Sequence, residues 1–240
     1  MPSRSPACIG EWTCAVISDK TLPSPARTRA SANPARPASR PLALAKALVF
    51  VACLLPLMRT AWIVLNGEAV NPIEFITRST GTWTLVWLLA TLAVTPLRRL
   101  AGWNVLQRFR RMLGLFAFFY AALHFTTYVW LDQFFDWHAI VKDIAKRPFI
   151  TVGFAALLLM TPLAVTSTDG WLRRLKRNWG RLHRLVYAVA ILGVTHYWWL
   201  VKKDIRQPLI YAAVLALLLG LRLYWRARTA RTAAQGKPQA

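Results

Sequence analysis

Six apolar stretches, each of roughly 16 to 23 residues, run through the sequence and constrain most strongly what it can fold into. They lie near residues 44–65, 80–97, 111–131, 148–165, 183–201 and 208–225. A helix that rises about 1.5 Å per residue crosses a hydrocarbon core of roughly 30 Å with a stretch of this length. Because 56% of the 240 residues are apolar, more than a soluble domain of this length normally carries, a soluble monomer is close to excluded. The sequence predicts an all-α integral membrane protein, with six transmembrane helices in an antiparallel bundle.

The charges are distributed unevenly along the chain. A formal net charge of +22 would by itself suggest a nucleic-acid partner. The basic residues, however, form short blocks between the apolar runs, and no nucleic-acid-binding motif is present, so we expect them to face membrane lipid. In or next to the connections between spans two and three and spans four and five, and after span six, there are 16 lysines and arginines, against 7 in the other three connections. This bias predicts that both termini are cytoplasmic.

The two ends of the chain differ from the apolar middle. Residues 1–41 are rich in Pro, Arg, Ala and Ser, which predicts a disordered cytoplasmic leader. Residues 42–226 are predicted to form the transmembrane domain, and residues 227–240 a basic cytoplasmic tail. The three cysteines have neither the pattern of a disulfide framework nor zinc-site spacing.

Two histidines lie at matched depth in the predicted bundle. His124 is in the outer half of span three and His196 in the outer half of span five. An ionisable side chain inside a membrane span is costly and usually functional. Two facing imidazoles are the arrangement that holds a haem iron from both sides. The alternative is a cofactor-free membrane carrier, in which the histidines only join helices by hydrogen bonds.

Three other polar residues, His183, His138 and Arg59, each have a structural interpretation beside a functional one. His183 lies in a basic segment at the start of span five, where a solvated histidine is the alternative to a ligand. His138 belongs to a predicted helix on the membrane surface over 134–144, and we expect it to be structural. Arg59, in the outer part of span one, is expected to extend to the membrane surface, with a place beside a haem propionate as the alternative.

Three segments in order carry a family resemblance. They are Arg110-Arg-Met-Leu-Gly-Leu-Phe with Ala-Leu-His124, then Leu163-Ala-Val-Thr-Ser-Thr, then Trp179-Gly-Arg-Leu-His183-Arg-Leu-Val-Tyr187 with Thr195-His196-Tyr197. Together they resemble the MsrQ (YedZ) family of the ferric-reductase-like transmembrane group, and the resemblance covers roughly residues 42 to 226. It implies a six-helix bundle that encloses b-type haem in the bacterial inner membrane.

The resemblance also implies which residues bind the cofactors. In the wider group two histidines on span three pair with two on span five. One haem b held by His124 and His196 is therefore implied, and a second haem at His183 is left open. The position 14 residues before His124 is Arg110, whose protonated guanidinium has no lone pair for iron. We expect Arg110 to contact a haem propionate or a lipid phosphate. An FMN is implied by the resemblance alone.

The resemblance implies an electron-transfer subunit whose partner is the catalytic subunit. Electrons would pass from the quinone pool, or from a cytoplasmic flavin donor, to the periplasmic molybdopterin-containing subunit MsrP. That partner reduces methionine sulfoxide in oxidised periplasmic proteins. The alternative that keeps the haem is a stand-alone transmembrane reductase of metal ions or quinones, as other members of the group are.

Overall fold

The computed structural model describes residues 40–201 and 204–235, and within these ranges all regular structure is helical. Nearly all of the predicted leader, residues 1–41, lies outside the described residues, as do residues 236–240 of the predicted tail. The final helix continues into the segment predicted as a tail. The helices are α1 (Arg40–Leu65), α2 (Pro72–Ala101), α3 (Arg110–Thr127), α4 (Trp137–Lys146), α5 (Pro148–Val165), α6 (Asp169–Leu175), α7 (Arg177–Leu182), α8 (Leu185–Leu200) and α9 (Arg206–Gln235).

Five of the described helices are long and apolar enough to cross a membrane. They are α1, α2, α3 with the π-helical turn Tyr128–Asp132 that extends it, α5, and residues Arg206–Thr232 of α9. These helices confirm the predicted all-α membrane fold. The predicted span at 183–201 corresponds to α8, which has 16 residues and is shorter than the other five. It begins at Leu185 because His183 forms the C-terminal cap of α7.

The start of α2 differs from the prediction. The apolar run suggested a helix from residue 80, whereas α2 begins at Pro72. The side chain of Asn71 caps this helix by accepting a hydrogen bond from the backbone N–H of Glu74 at 3.3 Å, and proline suits the first helical position. The first turns of α2 carry polar residues, so hydropathy alone does not reveal them.

One end of the bundle is defined by its histidines. His124, near the end of α3, contacts Thr77 near the start of α2. His196, near the end of α8, contacts Phe149 near the start of α5. We call this the histidine end. The contacts show that α3 runs antiparallel to α2, and α8 antiparallel to α5.

The opposite end is joined by a half-buried arginine, and we call it the arginine end. Arg222 of α9 donates one hydrogen bond to the carbonyl of Leu92 in α2 at 2.6 Å and another to the hydroxyl of Tyr187 in α8. At the histidine end, the hydroxyl of Tyr197 in α8 donates to the side chain of Gln207 in α9 at 3.0 Å. These bonds show that α9 runs antiparallel to α8 and parallel to α2.

The centre of the bundle is packed between α2, α3 and α8. Leu92, Ala117, Val189 and Ala190 are at most 1% exposed there. Alanines at such crossings let helix backbones approach closely, which is how helices associate in membranes. The packing fixes the relative positions of α3 and α8, the two helices that carry His124 and His196.

The loop before α5 contains the helix predicted from the sequence. The N-cap of α4 is Asp136, whose side chain accepts a hydrogen bond from the N–H of Ala139 at 3.0 Å. Ile140 is buried against the rest of the protein, and His138 is exposed. Arg59 is likewise exposed on α1.

Candidate functional site

The position of the His124 ring determines which of its nitrogens is free. Its Nδ1 lies 2.9 Å from the backbone carbonyl oxygen of Thr77 in α2. Because a carbonyl only accepts hydrogen bonds, this contact requires the hydrogen on Nδ1. In the neutral ring, Nε2 then carries the lone pair, which is the form that binds a metal.

His196 repeats this arrangement on the other side. Its Nδ1 lies 2.6 Å from the carbonyl oxygen of Phe149 in α5, so its Nε2 also carries a lone pair. In each pair the histidine follows the carbonyl residue by 47 positions in the sequence. The two imidazoles are therefore held in the same way by two different helix pairs.

Each imidazole lies against a glycine one helical turn after the carbonyl that it contacts. A Cβ atom on Gly81 would lie 3.1 Å from both Nδ1 and Cε1 of His124. A Cβ atom on Gly153 would lie 2.7 Å from Nδ1 of His196, which is closer than real Cβ contacts allow. A side chain at position 153 would displace the His196 ring, and a side chain at position 81 would leave the His124 ring tightly packed.

The two imidazole rings lie close together at the histidine end of the bundle. Their centroids are 6.2 Å apart and their planes are inclined by 76°. An imidazole nitrogen binds a metal at about 2.0–2.1 Å and lies about 1 Å from its ring centre, so two rings on opposite sides of one metal have centres about 6 Å apart. The observed separation would therefore allow both imidazoles to bind one iron.

The histidines line a cavity of about 1120 Å³. This volume is slightly above the usual range of about 300–1,000 Å³ for ligand and cofactor sites. Two neutral nitrogen donors between apolar walls are the donor set of a b-type haem, so the residues present fit that group. The apolar part of the wall consists of Leu85, Leu88, Ala121, Ala156, Leu157, Met160 and Val189, and the part at the histidine end includes Asn71, Glu74, Arg78, Asp132, Arg147, Asp204 and Gln207.

His183 is not part of this cavity. It lies at the arginine end, where its ring stacks on Trp179 with centroids 3.9 Å apart. Its Nδ1 is 3.2 Å from the carbonyl oxygen of Trp179. Its Nε2 is buried and has no hydrogen-bond partner within the described part of the chain. Arg110, which the sequence pairs with His183, is the first residue of α3 and is half-buried at the same end.

An ion pair organises the surroundings of Trp179. Arg111 binds Asp169 of α6, and its guanidinium lies over the Trp179 ring at 5.8 Å from the centroid. The hydrogen bond from Arg111 holds the pKa of the Asp169 carboxyl below its usual value, so this carboxylate is ionised at neutral pH. The indole of Trp179 donates to the carbonyl of Thr166 at 2.9 Å.

Sequence reasoning predicted the two facing histidines and missed the groups that position them. The contacts of Thr77, Gly81, Phe149 and Gly153 were not predicted. The signal was present as a repeat, because Gly81 and Gly153 precede their histidines by the same number of residues.

Comparison with known proteins agrees with the resemblance seen in the sequence. Residues 80–194 match the family described as "Ferric reductase like transmembrane component". Several relatives, among them the following three, carry the name "Protein-methionine-sulfoxide reductase heme-binding subunit MsrQ". The one from Herminiimonas arsenicoxydans is 55% identical over 193 residues, which is 79% of this chain and 88% of the relative. The one from Xanthomonas campestris pv. campestris (strain 8004) is 54% identical over 80% of this chain and 91% of the relative.

The third relative, from Bordetella pertussis (strain Tohama I), is 54% identical over 203 residues, which is 82% of this chain and 98% of the relative. No solved structure matches the chain significantly. Identities above half over most of both chains confirm the family predicted from the sequence. The chain therefore belongs to the MsrQ family of haem-binding subunits of protein-methionine-sulfoxide reductases.

Proposed function

We propose that this chain is a b-type cytochrome that binds haem between His124 and His196 and passes electrons to a periplasmic methionine sulfoxide reductase, MsrP. The observation that carries the proposal is the pair of imidazoles 6.2 Å apart, each with Nδ1 on a backbone carbonyl and Nε2 left for iron. The relatives are named as haem-binding subunits of such a reductase, which supports the same cofactor and partner here.

The haem would supply a one-electron carrier, and the chain supplies its ligands and surroundings. The carbonyls of Thr77 and Phe149 hold the two imidazoles in one orientation and in the tautomer that binds iron. Apolar side chains such as Leu88 and Val189 line the cavity and would exclude water from the haem. The residues thus tune and shield the carrier, while reduction of the sulfoxide belongs to the partner.

The proposed protein has six membrane spans, with α8 as the shortest. α8 contains no charged residue, and its 16 residues extend about 24 Å, close to the thickness of the hydrocarbon core. It begins near Tyr187 at the arginine end and ends near His196 at the histidine end, so it covers the same depth as its neighbours α5 and α9.

Charge supports an orientation with the arginine end in the cytoplasm. The connections at that end hold blocks of arginine, whereas most acidic residues of the described chain lie at the histidine end. The histidines then lie near the periplasmic face of the inner membrane, where MsrP would receive electrons. The amino and carboxyl termini are both cytoplasmic in this arrangement.

The electron donor in this proposal is on the cytoplasmic side or in the membrane, either a flavin donor or the quinone pool. An FMN is proposed from the family alone. A second haem at His183 is supported by its buried Nε2, which lacks a hydrogen-bond partner among the described residues. Arg110 would then contact a propionate of this second haem or a lipid phosphate.

The proposed topology predicts opposite locations for two neighbouring loops. We expect alkaline phosphatase fused after Asp204 to be active, and green fluorescent protein fused after Gly170, in the connection between α5 and α8, to fluoresce, because α8 separates the two connections across the membrane. A fusion at Gly102, between α2 and α3, serves as the cytoplasmic control. If both loops report the same side, α8 does not cross and the six-span arrangement is wrong.

The proposed ligands predict the spectra of alanine variants. We expect purified wild-type protein to give sharp reduced-minus-oxidised bands of low-spin haem b, with a matching pyridine haemochrome. His124→Ala and His196→Ala should each lower haem content more than about tenfold, because one axial ligand is lost. A partial loss in His183→Ala would indicate a second haem. The exposed His138→Ala is the matched control and should retain full haem content.

Electron delivery is tested with the same preparations. Reduced wild-type protein should be reoxidised when oxidised MsrP is added under anaerobic conditions. Reoxidation by metal ions or quinones, with no effect of MsrP, would support a stand-alone reductase instead. Colourless wild-type protein from cells supplied with ample haem would contradict the cytochrome itself and favour the cofactor-free carrier.

The glycine contacts predict graded losses of haem affinity. Gly153→Ala should lower the affinity of the apo-protein for haem about 10- to 100-fold, because the new Cβ would lie 2.7 Å from His196 Nδ1 and displace the ring. Gly81→Ala should have a smaller effect, since its Cβ would lie 3.1 Å from His124. The control is Gly220→Ala, whose Cβ would meet no atom within 4 Å.

Affinity is measured by titrating apo-protein with haem, and size-exclusion chromatography shows whether each variant is folded. An unchanged affinity in a folded Gly153→Ala variant would mean that the ring position seen here is not needed for haem binding.

A further inference from the structure

The cavity between the histidines is apolar along its wall and polar where it opens at the histidine end. Its wall along the bundle is formed by residues such as Leu88, Met160 and Val189. The opening lies between the starts of α2, α5 and α9 and the end of α3. Two arginines line this opening among the described residues, Arg78 from α2 and Arg147 at the start of α5.

Each of these arginines is held in place by a carboxylate one helical turn earlier. Arg78 donates from a terminal nitrogen to Glu74 at 2.7 Å. Arg147 pairs through Nε with Asp143 at 3.4 Å. Among the described residues, its two terminal amino groups have no hydrogen-bond partner and can bind another acceptor. The side chains are 76% and 56% exposed, respectively, so both guanidinium groups remain open to a ligand at the mouth of the cavity.

We infer that Arg78 and Arg147 bind the two propionates of the haem. These contacts would orient the haem with its propionate edge toward the histidine end. The inference rests on the proposed haem site between His124 and His196. Haem b has one edge that carries two carboxylates, whereas its other substituents are apolar. A guanidinium group presents two parallel N–H donors to a carboxylate, and the pair is stronger than a neutral hydrogen bond.

The opposite orientation is unfavourable for a physical reason. It would bring two ionised carboxylates against Leu88, Met160 and Val189, where no described basic side chain lines the cavity. Burial of an unpaired charge is strongly unfavourable. The two arginines lie on helices that also carry the carbonyls of Thr77 and Phe149, so the same two helix starts fix the axial ligands and the propionates.

This orientation has a consequence for the partner. The propionate edge of the haem would be its edge nearest the periplasmic surface in the proposed topology. The site of electron transfer to MsrP would then be bordered by Arg78 and Arg147 and by their carboxylate partners, Glu74 and Asp143.

The inference is tested by comparing haem b with its dimethyl ester, in which both propionates are neutral. Apo-protein is titrated with each compound. We expect wild-type protein to prefer haem b by about 10- to 100-fold, because two charge-assisted contacts are lost with the ester. The preference should shrink several-fold in Arg78→Gln and in Arg147→Gln, and should nearly vanish in the double variant.

Arg59→Gln is the matched control, since Arg59 is an exposed arginine near the same end that does not line the cavity. It should keep the wild-type preference. The midpoint potential of bound haem b gives a second readout. It should fall in the double variant, because a nearby positive charge stabilises the reduced haem, and it should stay unchanged in Arg59→Gln.

A double variant that keeps both the wild-type preference and the wild-type potential would overturn the inference while leaving the haem site intact. Wild-type protein that binds haem b and its ester equally well would do the same. Failure of wild-type protein to bind either compound would instead contradict the proposed function, and the inference with it.

Discussion

The hydrogen bond from each histidine to a backbone carbonyl of the neighbouring helix is the interaction on which the site depends. A carbonyl oxygen inside a helix already accepts one bond, and its second lone pair is reachable only where the helix surface is open. Glycine one turn further along provides that opening at both Gly81 and Gly153. The contacts with Thr77 and Phe149 then fix the direction and the tautomer of each imidazole before any cofactor binds.

The hydrocarbon core of the membrane constrains the polar groups at both ends of the bundle. Polar groups in the hydrocarbon core must be satisfied within the protein. The chain meets this requirement at the arginine end by joining three helices through Arg222, and at the histidine end by pairing the imidazoles with carbonyls. Between them, α2, α3 and α8 are packed through residues such as Ala117 and Ala190. The packing brings His124 and His196 to one depth, although they lie on different helices.

Much of this architecture follows from the sequence, because hydropathy and charge act over whole helices. The apolar runs predicted the long helices, and the depth of His124 and His196 predicted that they would meet. The predicted start of α2 at residue 80 was wrong, because the first turns of this helix are polar and the cap at Asn71 is a local contact. The roles of Gly81 and Gly153 were missed because a glycine in a membrane helix is common, and only the placement of a neighbouring ring distinguishes these two. The assignment of His183 and Arg110 stays a prediction.

The central claim is the proposal that His124 and His196 would both bind one haem iron. The most direct test is the low-temperature electron paramagnetic resonance spectrum of the oxidised wild-type protein in membranes. Two imidazole ligands on one haem iron predict a low-spin ferric signal. A high-spin ferric signal would contradict ligation by both histidines.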